Sequence, residues 1–142
     1  MALKFIIEAD FKGILGVSVL TGLKGANTEN LIESELRSIS ELDPLRGKFD
    51  IDGMLAKVGA DRHPVMIRML VHITAYYLYN TVPDDDIPQR IIDNWKKELA
   101  FIKDLASGKA SSTLDVLVDE TTGEKVTTFR WGSNKKRSHD LY

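Results

Sequence analysis

Histidine and carboxylate side chains are the residues here best suited to acid–base or metal chemistry. The three histidines are His63, His72 and His139. No two of them have the four-residue spacing of a helical metal site, and no acidic residue lies at a useful offset from two of them. We interpret them as a polar cap at a helix start, a partly buried ring and a solvated tail residue.

Two acidic runs match a cation site only in part. The run Asp50-Ile-Asp52-Gly53 opens like a calcium loop, but Met54 stands where an oxygen ligand belongs and Asp61 occupies the twelfth position. The run Asp84-Asp85-Asp86 is interpreted as a solvated cap before Pro88 and the helix that follows. We therefore expect no metal site.

Glycine and nucleophile patterns of known enzymes are not found either. The pairs Gly13 and Gly16, and Gly22 and Gly25, have neither P-loop nor dinucleotide-binding spacing. The chain has no cysteine, which excludes disulfides, thiolate zinc sites and cysteine nucleophiles. The sequence thus predicts no catalytic residue, no cofactor and no enzymatic activity.

Charge and hydropathy patterning give no sign of a membrane or nucleic-acid protein as a whole. The 142 residues carry a formal net charge of −2, which exerts no overall pull towards nucleic acid or anionic lipid. Lys4 and Glu8 interrupt the N-terminal apolar residues, so that they lack the core of a signal peptide. No apolar run approaches the ~20 residues of a spanning helix, and we expect a soluble protein without a membrane partner.

Two long helical patterns must form the framework, at His63–Thr81 and Gln89–Ser107. The first has Pro64 at its start and is apolar on most sides, which predicts a buried helix at the centre of a bundle. The second is amphipathic, with Glu98 on its predicted water-facing side, and Gly108 closes it. Its predicted apolar stripe comprises Ile91, Ile92, Trp95, Leu99, Ile102 and either Leu105 or Ala106.

Shorter helices are predicted upstream. The glycines of 13–25 weaken any helix there, so that a short, irregular helix plus a loop is predicted. An amphipathic helix follows a cap at Asn27 or Thr28, with Leu36 in its apolar stripe and Ser34 and Ser38 on the polar face.

A third short helix is predicted over Phe49–Val58. Asp50 or Asp52 provides its cap, and Val58 is expected to turn inward. The predicted fold is mainly α, a small bundle of four to five helices.

The character of the sequence changes after Gly108. The segments Thr113–Val118 and Lys125–Trp131 are rich in β-branched and aromatic residues, and they flank a plausible loop at Asp119–Glu124. A lone hairpin is marginal in water, so this arm is expected to pack on the bundle or on another subunit. The sequence predicts a flexible basic tail over Ser133–Tyr142. We therefore divide the chain into a helical domain at 1–109 and an extended, β-hairpin-like arm with its tail at 110–142.

Several motifs occur along the chain in a characteristic order and spacing. They are Leu31-Ile32 with Leu36 and Ile39, Leu45-Arg-Gly-Lys-Phe-Asp50, Gly59-Ala-Asp-Arg-His-Pro64, Ala75-Tyr-Tyr-Leu-Tyr79, and Trp95, Leu99 and Ile102 with Ser107-Gly-Lys109. In this order they resemble the Mu-like phage and prophage head–tail connector proteins, including members from Bacteroides-type phages. The resemblance covers about 3–109, and the ending Gly132-Ser-Asn-Lys-Lys-Arg137 is also similar to that of many relatives. The arm departs from the family pattern because it is more developed than usual.

This resemblance implies a virion structural protein, made in the host bacterial cytoplasm and located in the phage neck. Relatives form a ring, often of about twelve subunits, between the portal and the tail. The implied partners are the portal protein, tail and neck proteins and neighbouring subunits, with contact to DNA in the ring lumen left open. The expected partner-binding residues of the arm and tail are Val116, Val118, Val126, Phe129, Arg130, Trp131, Lys135, Lys136 and Arg137.

The basic tail also supports an alternative. Its basic side chains could bind the phosphates of DNA, namely those of Lys135, Lys136 and Arg137. The chain would then be a small helical DNA-binding or regulatory protein. The helix Gln89–Ser107 argues against this alternative, because it alternates Lys with Glu and Asp and presents no concentrated positive face.

Overall fold

The fold is mainly helical, as the sequence predicts, with one long helix at its centre. A computed structural model describes residues 2–82, 86–118 and 123. Within these ranges the helices are α1 Val17–Leu23, α2 Glu29–Ser40, α3 Ile51–Leu55, α4 Pro64–Asn80 and α5 Gln89–Ser107. Short 3₁₀ turns lie at Glu8–Phe11, Asp43–Leu45 and Gly59–Asp61. The predicted second arm segment and the tail lie outside the described residues.

Helix α4 is the buried axis of the bundle, which confirms the prediction from its apolar sequence. Both α2 and α5 pack against it. Its fully buried side chains include Met66, Met69, Leu70, Ile73 and Leu78. Since each such side chain contributes about 1.5–3 kcal/mol on burial, this helix anchors the hydrophobic core.

Local capping signals set the bounds of the main helices. Pro64 is the first residue of α4, and the Nδ1 atom of His63 accepts a hydrogen bond from the Val65 amide at 3.1 Å. The carboxylate of Asp50 caps α3 by accepting from the Gly53 amide at 3.1 Å. Helix α5 ends as predicted at Gly108, whose φ of 84° lies in the left-handed region that favours glycine.

The predicted orientation of α2 is wrong in part. Ser34 and Ser38 are buried rather than exposed, while Leu36 is 37% exposed. The Oγ atom of Ser38 lies 2.7 Å from Oγ1 of Thr74 on α4. Helix α2 is covered on one side by α4 and on another by the N-terminal segment, so its buried arc is wider than its apolar stripe. Thr28 does occupy the N-cap position, but its side chain makes no capping bond.

The prediction that Val58 turns inward is also wrong. Helix α3 ends at Leu55, and the chain then leaves the helical path towards the turn at Gly59–Asp61. Helical periodicity therefore no longer decides where Val58 points, and this side chain is 72% exposed.

A buried carboxylate fastens the extended N-terminal segment to α2. Glu35 is fully buried and accepts hydrogen bonds from the amides of Lys4, Phe5 and Ile6 at 2.7, 2.7 and 2.9 Å. These bonds satisfy three backbone N–H groups, which do not pair with a β-strand in the described part of the chain. Backbone amides need such partners when buried, so Glu35 allows Phe5 and Ile6 to enter the core.

A second polar link fixes the turn that follows. The guanidinium of Arg62 forms a largely buried ion pair with Asp10 at 2.6 Å and also donates to the Phe5 carbonyl at 3.0 Å. The start of the chain is thus tied to the segment that leads into α4. Among the helices in the described ranges, none has the length and apolar character to cross a membrane.

Candidate functional site

The base of the C-terminal arm is bound to the helical body by backbone hydrogen bonds. Phe49 and Val116 form an antiparallel bridge. The Asp50 amide donates to the Asp115 carbonyl at 2.8 Å, and the Leu117 amide donates to the Lys48 carbonyl at 3.2 Å. The first arm segment therefore packs on its own bundle rather than standing free.

Side chains strengthen this attachment. Leu114 is 3% exposed and joins the hydrophobic core. The Nε2 atom of His63 lies 2.9 Å from the Thr113 carbonyl oxygen. Because Nδ1 of His63 accepts from Val65, its Nε2 carries the proton and donates to Thr113. One neutral imidazole thus caps α4, as predicted, and holds the base of the arm.

The structure describes two of the partner-binding residues that the sequence predicts. Val116 is half-buried against the core and its backbone pairs with Phe49, whereas the side chain of Val118 is 51% exposed. The remaining predicted residues lie outside the described ranges: Val126, Phe129, Arg130, Trp131, Lys135, Lys136 and Arg137. Their role in binding partners stays a prediction.

A charged cluster joins α4 to α5. The carboxylate of Glu98 accepts from Arg68 at 3.0 and 3.3 Å, and its Oε1 lies 2.9 Å from Nδ1 of His72. Burial alone would raise the pKa of Glu98, but the hydrogen bond from His72 and the charge of Arg68 outweigh it, so the pKa lies below its usual value. The cluster is a partly buried ion pair that links the two helices.

The water-facing position predicted for Glu98 is therefore wrong, since this residue is 5% exposed. Its partners lie on α4, about 30 residues earlier in the chain, and helical periodicity does not reveal them. One local signal was available. Glu98 stands three residues after Trp95 and four before Ile102, at the edge of the apolar stripe. The partly buried ring predicted for His72 is confirmed.

The aromatic residues of α4 and α5 pack against the hydrophobic core. Tyr76 and Trp95 are stacked, with ring centroids 3.8 Å apart. The hydroxyl of Tyr77 donates to Oε1 of Glu41 at 2.6 Å. Burial and this carboxylate raise the pKa of Tyr77 to about 12, so the phenol stays protonated and holds Glu41 in place.

An open groove, here called the α5 groove, lies between the turn Asp43–Leu45 and α5. It encloses about 500 Å³. Its lining residues are Glu41, Pro44, Leu99, Ile102, Lys103, Ala106 and Ser107. The groove is mainly apolar and carries one carboxylate and one ammonium group. Such a surface suits an extended peptide with an apolar anchor.

The acidic runs do not form a metal site in the part of the chain that the structure describes. No group of three or more His, Asp or Glu side chains there is arranged to hold an ion. Asp50 instead caps α3, as the sequence predicts. Asp84 and Asp85 lie outside the described residues.

Comparison of the chain with protein-family models, with curated proteins and with solved structures finds no match.

Proposed function

We propose that this chain is a head–tail connector subunit of a tailed phage, which assembles into a ring in the neck between portal and tail. The order of residues that resembles the connector family supports the proposal. The segments that carry this resemblance lie in α2, α4 and α5 and in the turns that lead into α3 and α4. They belong to the core and its capping turns, and so to the body that a ring subunit must keep rigid.

The anchored base of the arm is the observation that carries the proposal. Residues 113–117 are fixed to the body by backbone hydrogen bonds and by buried Leu114. The next 24 residues of the sequence, 119–142, therefore start from a defined place on a rigid helical domain. An adaptor needs this arrangement, because an extended segment gains backbone hydrogen bonds and side-chain selectivity when it docks on another chain.

Co-purification with the portal protein of the same phage or prophage tests the proposal. We expect a tagged portal to retain the chain after nuclease treatment and in washes of rising salt. Nuclease removes any bridging DNA, and salt weakens contacts that depend on phosphate.

The opposite result would favour the DNA-binding alternative. In this outcome, the portal protein does not retain the chain, and the chain binds DNA tightly at physiological salt. In that case the combined substitution of Lys135, Lys136 and Arg137 by Gln would weaken DNA binding and flatten its salt dependence.

A further inference from the structure

We propose that the α5 groove binds the chain's own residues 119–126, the segment that directly follows the anchored base of the arm. The contact goes beyond the proposed function, since it forms within one subunit and needs no ring. It is supported by the direction of the anchored arm, by the contacts that join this arm to α5, and by the order of charges along the groove.

The register of the arm sets the direction in which it leaves the body. Phe49 forms an antiparallel bridge with Val116, and the amide of Leu117 donates to the carbonyl of Lys48 at 3.2 Å. In an antiparallel pair, each step forward along one segment is a step backward along the other. The arm therefore passes Lys48 in the direction of Pro44, which lines the α5 groove.

A second hydrogen bond places this exit beside α5. The ammonium of Lys48 donates to the carbonyl of Leu105 at 3.1 Å. The next two residues of α5, Ala106 and Ser107, line the groove. Lys48 thus contacts the arm through its backbone and the end of α5 through its side chain, so the described part of the arm ends next to the groove.

The groove carries two charged groups, and the order in which the arm meets them follows from its direction. Lys103 lies one turn before Ser107 on α5, and Glu41 lies beyond Pro44 on the opposite wall. Within the described residues, neither charged side chain forms an ion pair. A segment that enters beside Ser107 therefore meets the ammonium of Lys103 first and the carboxylate of Glu41 last.

Residues 119–126 have the matching order of charges. Asp119 and Glu120 follow the described arm directly, and Lys125 comes near the far end of the segment. Because the anchored base holds these groups close to the groove, their effective concentration there is high. A carboxylate beside Lys103 and an ammonium beside Glu41 would complete both ion pairs.

The apolar wall of the groove has a counterpart in Val126. Leu99, Ile102 and Ala106 of α5 form this wall, which extends for about 10 Å along the helix axis. An extended chain spans up to about 3.3 Å per residue, so the segment is long enough to follow the whole wall. The proposal leaves 127–142 for other contacts, and most of the expected partner-binding residues lie in that range.

Trapping by an engineered disulfide tests the contact, because the chain has no cysteine of its own. Ser107→Cys places a thiol on the groove lining, and Thr121→Cys places one in the segment. Mild oxidation of this double variant should link the two thiols within one chain, which gives a monomer of altered mobility on a non-reducing gel. The rate should not change on about tenfold dilution, since both thiols belong to the same molecule.

The matched control pairs Thr121→Cys with Lys109→Cys. Lys109 is exposed, stands two residues after Ser107 and lies outside the groove lining. A tethered but undocked segment would meet both positions at similar rates. We expect the Ser107→Cys pair to close about tenfold faster, because docking raises the effective concentration at the groove alone.

Two further substitutions separate docking from mere proximity. Val126→Asp lies five residues beyond the trapped position, so it should slow trapping to the control rate because it removes the apolar anchor. Thr127→Asp introduces the same charge at the next position. It should leave the rate within about twofold, because neighbouring side chains of an extended segment point to opposite sides.

A charge exchange tests the ion pair at Lys103. Lys103→Glu should slow trapping by about two- to fivefold, as expected for the loss of an exposed ion pair. Adding Glu120→Lys to the same chain should restore the rate. Thermal unfolding of these variants should match that of the double-cysteine chain, since Lys103 is exposed.

Three outcomes would overturn the proposal. A rate equal to the Lys109→Cys control would mean that the segment does not dock, and a rate unchanged by Val126→Asp would mean that proximity alone links the thiols. A product linked between chains that rises with protein concentration would mean that a second copy occupies the groove. Portal retention of the unmodified chain has no part in this test, so its failure removes the connector function and leaves this contact standing.

Discussion

At the scale of single residues, Glu35 is the side chain on which the N-terminal segment depends most. Its buried carboxylate accepts from three backbone amides that begin the chain. A neutral amide of the same shape would offer one acceptor oxygen and turn an N–H₂ group towards backbone donors. We therefore expect Glu35→Gln to lower the free energy of unfolding by about 2–3 kcal/mol, measured by urea denaturation.

Glu33→Gln on the same helix is the matched control for this prediction. Glu33 is exposed and forms only a surface ion pair with Arg37, so its substitution should change the free energy of unfolding by less than about 0.5 kcal/mol. Equal effects of the two substitutions would show that the Glu35 carboxylate does not hold the N-terminal segment.

Glu98 is the residue whose ionisation links stability to pH. Its pKa in the folded chain lies below the usual value of 4.5. Its contribution is therefore fully present above about pH 4.5 and is lost as the pH falls through its folded pKa. We expect Glu98→Gln to cost about 1–3 kcal/mol at pH 7, with the difference from the wild-type chain shrinking on acidification.

Denaturation curves of both chains between pH 7 and pH 3 would measure this difference. Asp93→Asn is a useful reference, because Asp93 is exposed and its carboxylate accepts only from Gln89 one turn earlier. A Glu98→Gln cost that stays constant across this range would contradict the assigned ion pair with Arg68 and His72.

At the scale of elements, the end of α5 depends on a backbone conformation that only glycine adopts readily. Gly108 has φ of 84°, and a Cβ atom added there would meet no neighbouring atom. The cost of Gly108→Ala is therefore backbone strain alone, about 1 kcal/mol of unfolding free energy. Gly22→Ala makes a contrasting pair. Gly22 lies within α1 in equally open space, without a positive φ.

Gly22→Ala should stabilise the folded chain by up to about 1 kcal/mol, because alanine favours the helix and restricts the unfolded state. Thermal unfolding of both variants measures the two effects, which should have opposite signs. The same sign for both would show that the left-handed cap does not end α5.

The elements themselves follow closely from the sequence, because their signals are local. Pro64 and Gly108 stand at helix ends where their backbone preferences are met, and the apolar surface of α4 indicates its central place. Val58 points outward because α3 ends at Leu55, before the predicted end of that helix. The errors at Ser38 and Glu98 arise because the partners of these polar side chains come from elsewhere in the chain. Ser38 meets Thr74, and Glu98 meets Arg68 and His72, in each case across a contact that no local pattern records.

The candidate site likewise has one feature that local sequence predicts and one that depends on residues distant in the chain. The sequence predicts an arm beginning near Thr113, and the described part of this segment packs on the bundle. It does not indicate the α5 groove, because the walls come from residues about 60 positions apart, at Glu41 and Lys103. Such a surface forms only when α5 has packed beside the turn Asp43–Leu45.

At the scale of the whole molecule, the described chain is a helical body on which residues 113–117 are anchored. Within the described residues, the N-terminal segment, α2 and α5 pack around α4. In the proposed ring, stability would come from this helical body, and assembly would come from the arm. Substitutions in these two regions should thus separate folding from assembly.

Electron microscopy of the portal protein mixed with this chain tests the central claim most directly. The proposed function predicts an added ring of density on the tail-facing side of the portal, with the same rotational symmetry as the portal or a simple match to it. Images of the portal that are the same with and without the chain, at concentrations well above micromolar, would contradict the account.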